Sequence, residues 1–228
     1  MNRDLILKLV LVIWMSLAIL GAFLIAEPAE RFPGETSRIM FFHVPQAWIA
    51  TLAFFISMIS SCIFIVKRKL KADYMAQAAA ELGLLFSILA TITGSIFASV
   101  TWGSFWNWDP RETSIVILLM IYGAYFALRS AIPDSNRKRI FSAAYSILAF
   151  LTVPFLIFIL PRITQSLHPE DTMNPANPGM DSKTLAVFLG SLIAYTGLFV
   201  WMLRLKYRLL ILIESSEPAF DLFEGEQQ

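Results

Sequence analysis

Apolar residues in this chain come in long blocks, not in the alternating or 3.6-residue stripes of a water-soluble domain. A helix needs about 20 mainly apolar residues to cross the roughly 30 Å hydrocarbon core of a bilayer. Six blocks qualify: about Leu5–Ala26, Ile39–Val66, Ala76–Val100, Thr113–Leu128, Ile140–Leu160 and Thr184–Leu203. In lipid every backbone N–H and C=O must find its partner within the protein, which makes such blocks helices. The pattern therefore predicts an all-α, polytopic integral membrane protein with six transmembrane helices. The fourth block is the shortest. The first is read as a span and not as a signal peptide, because its run from Leu9 to Ala26 is longer than an h-region and ends without an A-x-A site.

The segments between the blocks set an orientation. Thirteen of the eighteen Lys and Arg residues fall on one side, among them Lys67, Arg68, Lys69, Arg137, Lys138 and Arg139. Arg31, Arg38, Arg111, Arg162 and Lys183 fall on the other. The positive-inside rule places the richer side, and with it both termini, in the cytoplasm. The outer face then holds three loops, Glu27–Arg38, Trp102–Glu112 and Pro161–Lys183. No internal repeat or second domain is visible. Residues 1–208 read as one transmembrane domain, and 209–228 as an acidic cytoplasmic tail carrying Glu214, Glu217, Asp221, Glu224 and Glu226.

Composition agrees and narrows the function. The apolar fraction is 57% and the mean hydropathy +0.65, against about 45–50% apolar in soluble domains. A net charge of +1 excludes a broad nucleic-acid surface. The single cysteine, Cys62, allows no intrachain disulfide, no C-x-x-C redox pair and no C-x-x-C-H haem attachment. There is no G-x-x-x-x-G-K-[ST] loop, so any ATP requirement is met by a partner.

The outer face carries the candidate chemistry. Both histidines map there: His43 in Phe41-Phe42-His43-Val44-Pro45, and His168 in Ser166-Leu167-His168-Pro169. Each is read equally well as an interfacial histidine making one hydrogen bond. The middle loop, Trp102-Gly103-Ser104-Phe105-Trp106-Asn107-Trp108-Asp109, packs three of the six tryptophans into seven residues. An aromatic belt explains one or two tryptophans at a helix end, but not this run. If the segment is helical, Trp102 and Trp106 share one face and Phe105 and Trp108 another. Such a shelf would stack on a large flat apolar ring, with Gly103 allowing close approach to the backbone.

Asp109-Pro110-Arg111-Glu112 reads as an N-cap acid, a proline at the first helical position and an acid at N3, a capping box opening the fourth span. Arg111, Arg31, Arg38 and Arg162 are alternative partners for a carboxylate ligand. Glu81, near the cytoplasmic start of the third span, is expected to snorkel or find a polar partner. Pro154 is read as a kink.

The tryptophan loop resembles the signature of the haem-handling membrane proteins of cytochrome c biogenesis. Among these the chain is most similar to the cytochrome c maturation protein C (haem exporter protein C) family. The segment Arg38-Ile39-Met40-Phe41-Phe42-His43-Val44-Pro45 looks like that family's first histidine region, and one histidine flanks the loop on each side. The resemblance covers about residues 30–205. It implies a haem-binding and transfer protein, not an enzyme, in the bacterial cytoplasmic (inner) membrane, with haem b held on the periplasmic face. His43 and His168 would be the axial iron ligands. Trp102, Gly103, Trp106, Trp108 and Asp109 would form the haem platform, with Arg111 nearby. The implied partners are the periplasmic haem chaperone (cytochrome c maturation protein E), ATP-binding-cassette subunits and a small single-span subunit. Two other readings stay open. One is a subunit of a system II cytochrome c synthase, which the Asp109–Thr113 tail resembles but the small number of histidines opposes. The other is a general transporter, which the lack of a charge in the middle of any span opposes.

Overall fold

The computed structural model describes residues 3–28, 34–168 and 181–225, with side chains from residue 4 and through 215. Seven α-helices account for the described chain: α1 (Arg3–Leu24), α2 (Met40–Lys67), α3 (Leu70–Trp102), α4 (Pro110–Ala131), α5 (Ser135–Pro154), the one-turn α6 (Leu160–Ile163) and α7 (Ser182–Gly225). A 3₁₀ turn, Gly34–Ile39, leads into α2, and a π-helical turn, Phe155–Ile159, joins α5 to α6. Six spans follow: Asp4–Leu24, Gly34–Lys67, Leu70–Trp102, Pro110–Ala131, Ser135–Ile163 and Ser182–Ser215. The sequence pattern located all six but drew several short. The fourth begins at Pro110, three residues before the apolar block, because its first turn is a polar capping box. The last runs on as one helix through the region expected to be a separate tail.

Small residues set the packing. In lipid no hydrophobic force draws helices together, so close backbone approach over Gly, Ala and Ser does much of the work. Ala78, Ala79 and Gly83 on α3 give α2 such a surface, and Phe54 of α2 fills it. A Cβ added at Gly83 would lie 2.4 Å from the Phe54 ring, so only glycine fits there. On its other side Phe54 stacks on Tyr122 of α4, with ring centroids 3.5 Å apart. Ser57 joins three helices, donating to the Ala76 carbonyl of α3 (2.9 Å) and lying 3.0 Å from Ser146 of α5. α1 stands at the edge against α7, where Trp14 donates to the Gly190 carbonyl at 2.9 Å. Most of its other side chains are exposed, as for a helix facing lipid.

Two prolines shape the spans. At Pro154 regular α-hydrogen bonding gives way to the π turn, so the expected kink takes the form of a π-bulge. Pro45 lies inside α2 and has no N–H, which strips the Phe41 carbonyl of its usual partner. The Ser191 hydroxyl of α7 donates to that carbonyl instead. The irregular turn of α2 is thereby pinned, and His43 sits within it.

At the opposite end of the bundle, charges are buried in pairs. Asp73 of α3, 2% exposed, accepts two hydrogen bonds from Arg129 of α4, at 2.9 and 2.6 Å. Arg139 of α5 bridges Asp73 and Glu214 of α7. Glu214, read from sequence as part of a solvated acidic end, is therefore tied to the bundle. Glu81 finds the expected polar partners in Lys206 and Gln77.

Candidate functional site: an outer-end cleft holding both histidines

α3 ends at Trp102 and is closed by Gly103 in the left-handed conformation (φ 78°). The rest of the tryptophan loop is not helical. This corrects the expected helical shelf, and the cause is local. Glycine at C′ satisfies the left-handed stop that ends a helix, and the Asp109-Pro110 pair starts a new one seven residues later. The aromatic rings are not coplanar. Trp102 meets the His168 ring edge-on with centroids 4.9 Å apart, and Trp106 and Trp108 stand at 90° to each other at 5.9 Å. Trp108 is 74% exposed and has φ 56°, a left-handed conformation costly for a bulky side chain.

Asp109 is the hub of this end. It is 4% exposed and caps α4 by accepting from the Arg111 N–H. Glu112 completes the capping box and also accepts from the Asn107 N–H at 2.7 Å. The Asp109 carboxylate further accepts from Ser166 Oγ and from the Leu167 N–H at 2.7 Å, which staples the loop after α6 onto the start of α4. Its Oδ1 lies 3.0 Å from His168 Nδ1. Burial alone would raise the Asp109 pKa. The donated hydrogen bonds from Arg111, Leu167 and Ser166 and the nearby His168 outweigh it and hold the carboxyl below its ordinary value. Burial lowers the His168 pKa to about 4; Asp109 opposes the shift, and the Arg111 charge adds to it. The pair is thus a neutral imidazole beside a carboxylate. A carboxylate can only accept, so Nδ1 carries the proton and Nε2 keeps its lone pair.

His43 is held differently. Its Nδ1 lies 3.1 Å from Thr93 Oγ1 on α3. That hydroxyl is 2.8 Å from the Leu89 carbonyl and donates to it. Nδ1 is therefore the donor to Thr93, and Nε2 again is the nitrogen with a free lone pair.

The two histidines line one cleft, together with Ala47, Gly94, Ile115, Leu156 and Ile157, with Trp106 and Arg111 also contributing. The cleft is open at its mouth and its cavity volume is about 120 Å³, below the roughly 300–1,000 Å³ of small-molecule sites. Two buried polar atoms on its wall, Glu112 Oε1 and Ser114 Oγ, have no hydrogen-bond partner. Buried polar groups are rarely left so. The donor set suits a flat iron-centred ring: two free imidazole nitrogens, apolar walls, and one arginine beside them.

The structure sorts the other sequence candidates. Arg111 lines the cleft. Arg38 donates to the Ala22 and Ala26 carbonyls and pairs with Glu35, so it closes the C-terminal end of α1. Arg162 donates to the Phe158 carbonyl. Arg31 lies outside the described residues. Trp102 supports His168, Trp106 lines the cleft, and Gly103 serves the chain turn with open space around it. Thr93, Gly94 and Ser191 carried no signal in the sequence, since a threonine, a glycine and a serine inside apolar spans are unremarkable until the partner helix is known.

Known proteins resemble this chain over most of its length. A profile of the family described as "Heme exporter protein C" matches residues 3–219. The chain is 32% identical over 202 residues to "Heme exporter protein C" of Bradyrhizobium diazoefficiens, covering 85% of this chain and 77% of that one. It is 29% identical over 216 residues to the Haemophilus influenzae protein of the same name, covering 90% and 85%. With the Escherichia coli K12 protein of that name it shares 30% over 196 residues, covering 84% and 77%. The six-span chain with its paired-histidine cleft belongs to the haem exporter protein C family.

Proposed function

We propose that this protein binds haem b in the outer-end cleft, with Nε2 of His43 and Nε2 of His168 as axial ligands, and passes it to a periplasmic haem chaperone for cytochrome c maturation. The observation that carries this reading is the matched state of the two imidazoles. Each has Nδ1 committed to a hydrogen bond, each keeps Nε2 free, and both line the same cleft. Histidines that bind metal are typically held this way, the non-ligating nitrogen donating to a carboxylate or another acceptor.

Haem is iron with four positions already filled by its ring, so two histidines complete it. The apolar side chains of Ile115, Leu156 and Ile157 suit the ring, and Arg111 at the same cleft suits a propionate. The cleft lies at the end of the bundle poorer in Lys and Arg. By the positive-inside rule that end faces the periplasm of a bacterial inner membrane, with both termini in the cytoplasm. The exposed Trp108 and Phe105 beside it offer a surface for the chaperone. With no nucleotide-binding loop of its own, the chain works beside ATP-binding-cassette subunits and a small single-span subunit. We read it as a haem carrier and not an enzyme, in keeping with the exporter family it belongs to.

The test is a haem titration of the detergent-purified protein followed by absorption, with His43→Ala and His168→Ala in parallel. A six-coordinate low-spin spectrum in the wild type, lost in each variant, is expected. Identical spectra from all three proteins would overturn the assignment.

A further inference from the structure

His43 and His168 are held by unlike means. His168 has a carboxylate and a stapled loop. His43 has only what α3 presents to it, which is a Thr-Gly pair. Thr93 Oγ1 sits 3.1 Å from Nδ1. Its own hydrogen goes to Leu89 O, one turn back, so the hydroxyl oxygen faces the imidazole as an acceptor. The Ala90 carbonyl lies 3.1 Å from that hydroxyl. The next residue is Gly94. A Cβ built there would lie 2.9 Å from His43 Cε1 and 3.4 Å from Nδ1, closer than side chains are normally found. The ring therefore rests flush on bare helix backbone.

The far side is equally constrained. α2 is tied on this side, where the Ser191 hydroxyl of α7 donates to its Phe41 carbonyl at the turn opened by Pro45. Thr93 also contacts Gln46, one turn along from Phe42 on α2 and itself 7% exposed. Gln46 reaches Tyr195 of α7 in turn. Three helices thus converge on one imidazole.

We propose that Thr93 and Gly94 are positioning residues for His43. The threonine hydroxyl fixes the tautomer with hydrogen on Nδ1, and the glycine leaves the space in which the ring presents Nε2 to the cleft. Thr93 is not part of the cleft lining and acts through His43; Gly94 lines the cleft as well as leaving the ring its space. The proposal rests on the reading of His43 as an iron ligand. Without the threonine acceptor the imidazole is free to turn over or adopt the other tautomer, and hydrogen then sits on the nitrogen that must bind iron. Removing an outer partner of a metal-bound histidine commonly weakens metal binding by about 10–100-fold. A neutral hydroxyl is also a weaker hydrogen-bond acceptor than the Asp109 carboxylate, so His43 would be the less basic of the two ligands.

The experiment uses the full-length protein in detergent, titrated with ferric haem and followed by absorption and by midpoint potential. Thr93→Val keeps the shape and removes the acceptor, and about 10–100-fold weaker haem binding with loss of low-spin character is expected. Thr93→Ser restores the acceptor and is expected to recover wild-type spectrum and potential. Gly94→Ala is expected to lose the low-spin spectrum while leaving the thermal unfolding of the haem-free protein near wild type. Wild-type affinity, spectrum and potential in Thr93→Val, alongside loss in His43→Ala, would overturn the positioning role and leave the ligand assignment intact. If His43→Ala itself keeps the wild-type spectrum, the underlying reading fails and the positioning role falls with it.

Discussion

His168 Nδ1 lies 3.0 Å from Oδ1 of Asp109, a residue 59 positions earlier in the chain. That single contact joins the second histidine to the tryptophan loop. It makes one carboxylate serve three tasks: cap of α4, anchor of the Ser166–Leu167 loop, and acceptor for the imidazole.

Those tasks separate in two substitutions. Asn caps a helix about as well as Asp, but its amide nitrogen cannot accept from Ser166 and Leu167 as the carboxylate does, so Asp109→Asn should lower the thermal midpoint of the haem-free protein, though less than Asp109→Ala. It removes the charge facing His168, and haem affinity should fall about tenfold or more. Asp109→Ala loses the cap as well, at about 1 kcal/mol, and should lower both. Parallel thermal melts and haem titrations check this; equal affinity in Asp109→Asn and wild type would show that the carboxylate is a cap only.

The His168 shift gives a pH dependence with a definite sign. Its ordinary value is 6.5 and the folded value about 4, so folding favours the neutral form. The fold's stability through this group is complete above pH 6.5 and declines as pH falls from 6.5 towards 4. Nε2 stays available to iron across the same window. Haem binding should therefore be nearly as tight at pH 5.5 as at pH 7. A loss centred near 6.5, removed by His168→Ala, would mean that His168 titrates as a free imidazole.

Trp108 combines high exposure with a left-handed backbone. Trp108→Gly relieves about 1 kcal/mol of backbone strain and loses an edge contact with Trp106 worth about as much. Stability should change by less than about 1 kcal/mol by these offsetting contributions, while haem retention and transfer to the chaperone decline. A strongly destabilised Trp108→Gly protein would give this tryptophan a folding role instead.

At the inner end, Asp73→Asn leaves Arg129 buried without its counter-charge. Breaking one side of a buried pair costs about 3–5 kcal/mol. A clearly lower melting temperature is expected, with the haem spectrum of the surviving folded protein unchanged, since the pair lies at the opposite end from the histidines.

The legible parts of this molecule were those written in one stretch of chain. Six apolar blocks gave six spans, and Asp109-Pro110-Arg111-Glu112 gave a capping box that the structure reproduces. The tryptophan run lies at the same end of the bundle as both histidines, and the shelf that a helical run would form is absent because the glycine stop at Gly103 ends α3 there. What stayed hidden depends on pairs far apart in sequence. Trp102 supplies a ring to His168 from 66 residues away, edge-on at 4.9 Å. Arg38 looked available to a carboxylate ligand, but it closes the end of α1. The pairing of Arg129 with Asp73 joins two helices and shows in neither segment alone. No local pattern encodes such contacts; they are set by how the spans pack.

The central claim is that one iron bridges His43 and His168. Cavity rescue addresses it most directly: His43→Gly and His168→Gly proteins, each loaded with haem in detergent, then titrated with free imidazole. Each variant is expected to lose the low-spin spectrum and to regain it as imidazole enters the vacated position. Recovery by neither variant, or a low-spin spectrum that persists in both without imidazole, would place the iron ligands elsewhere.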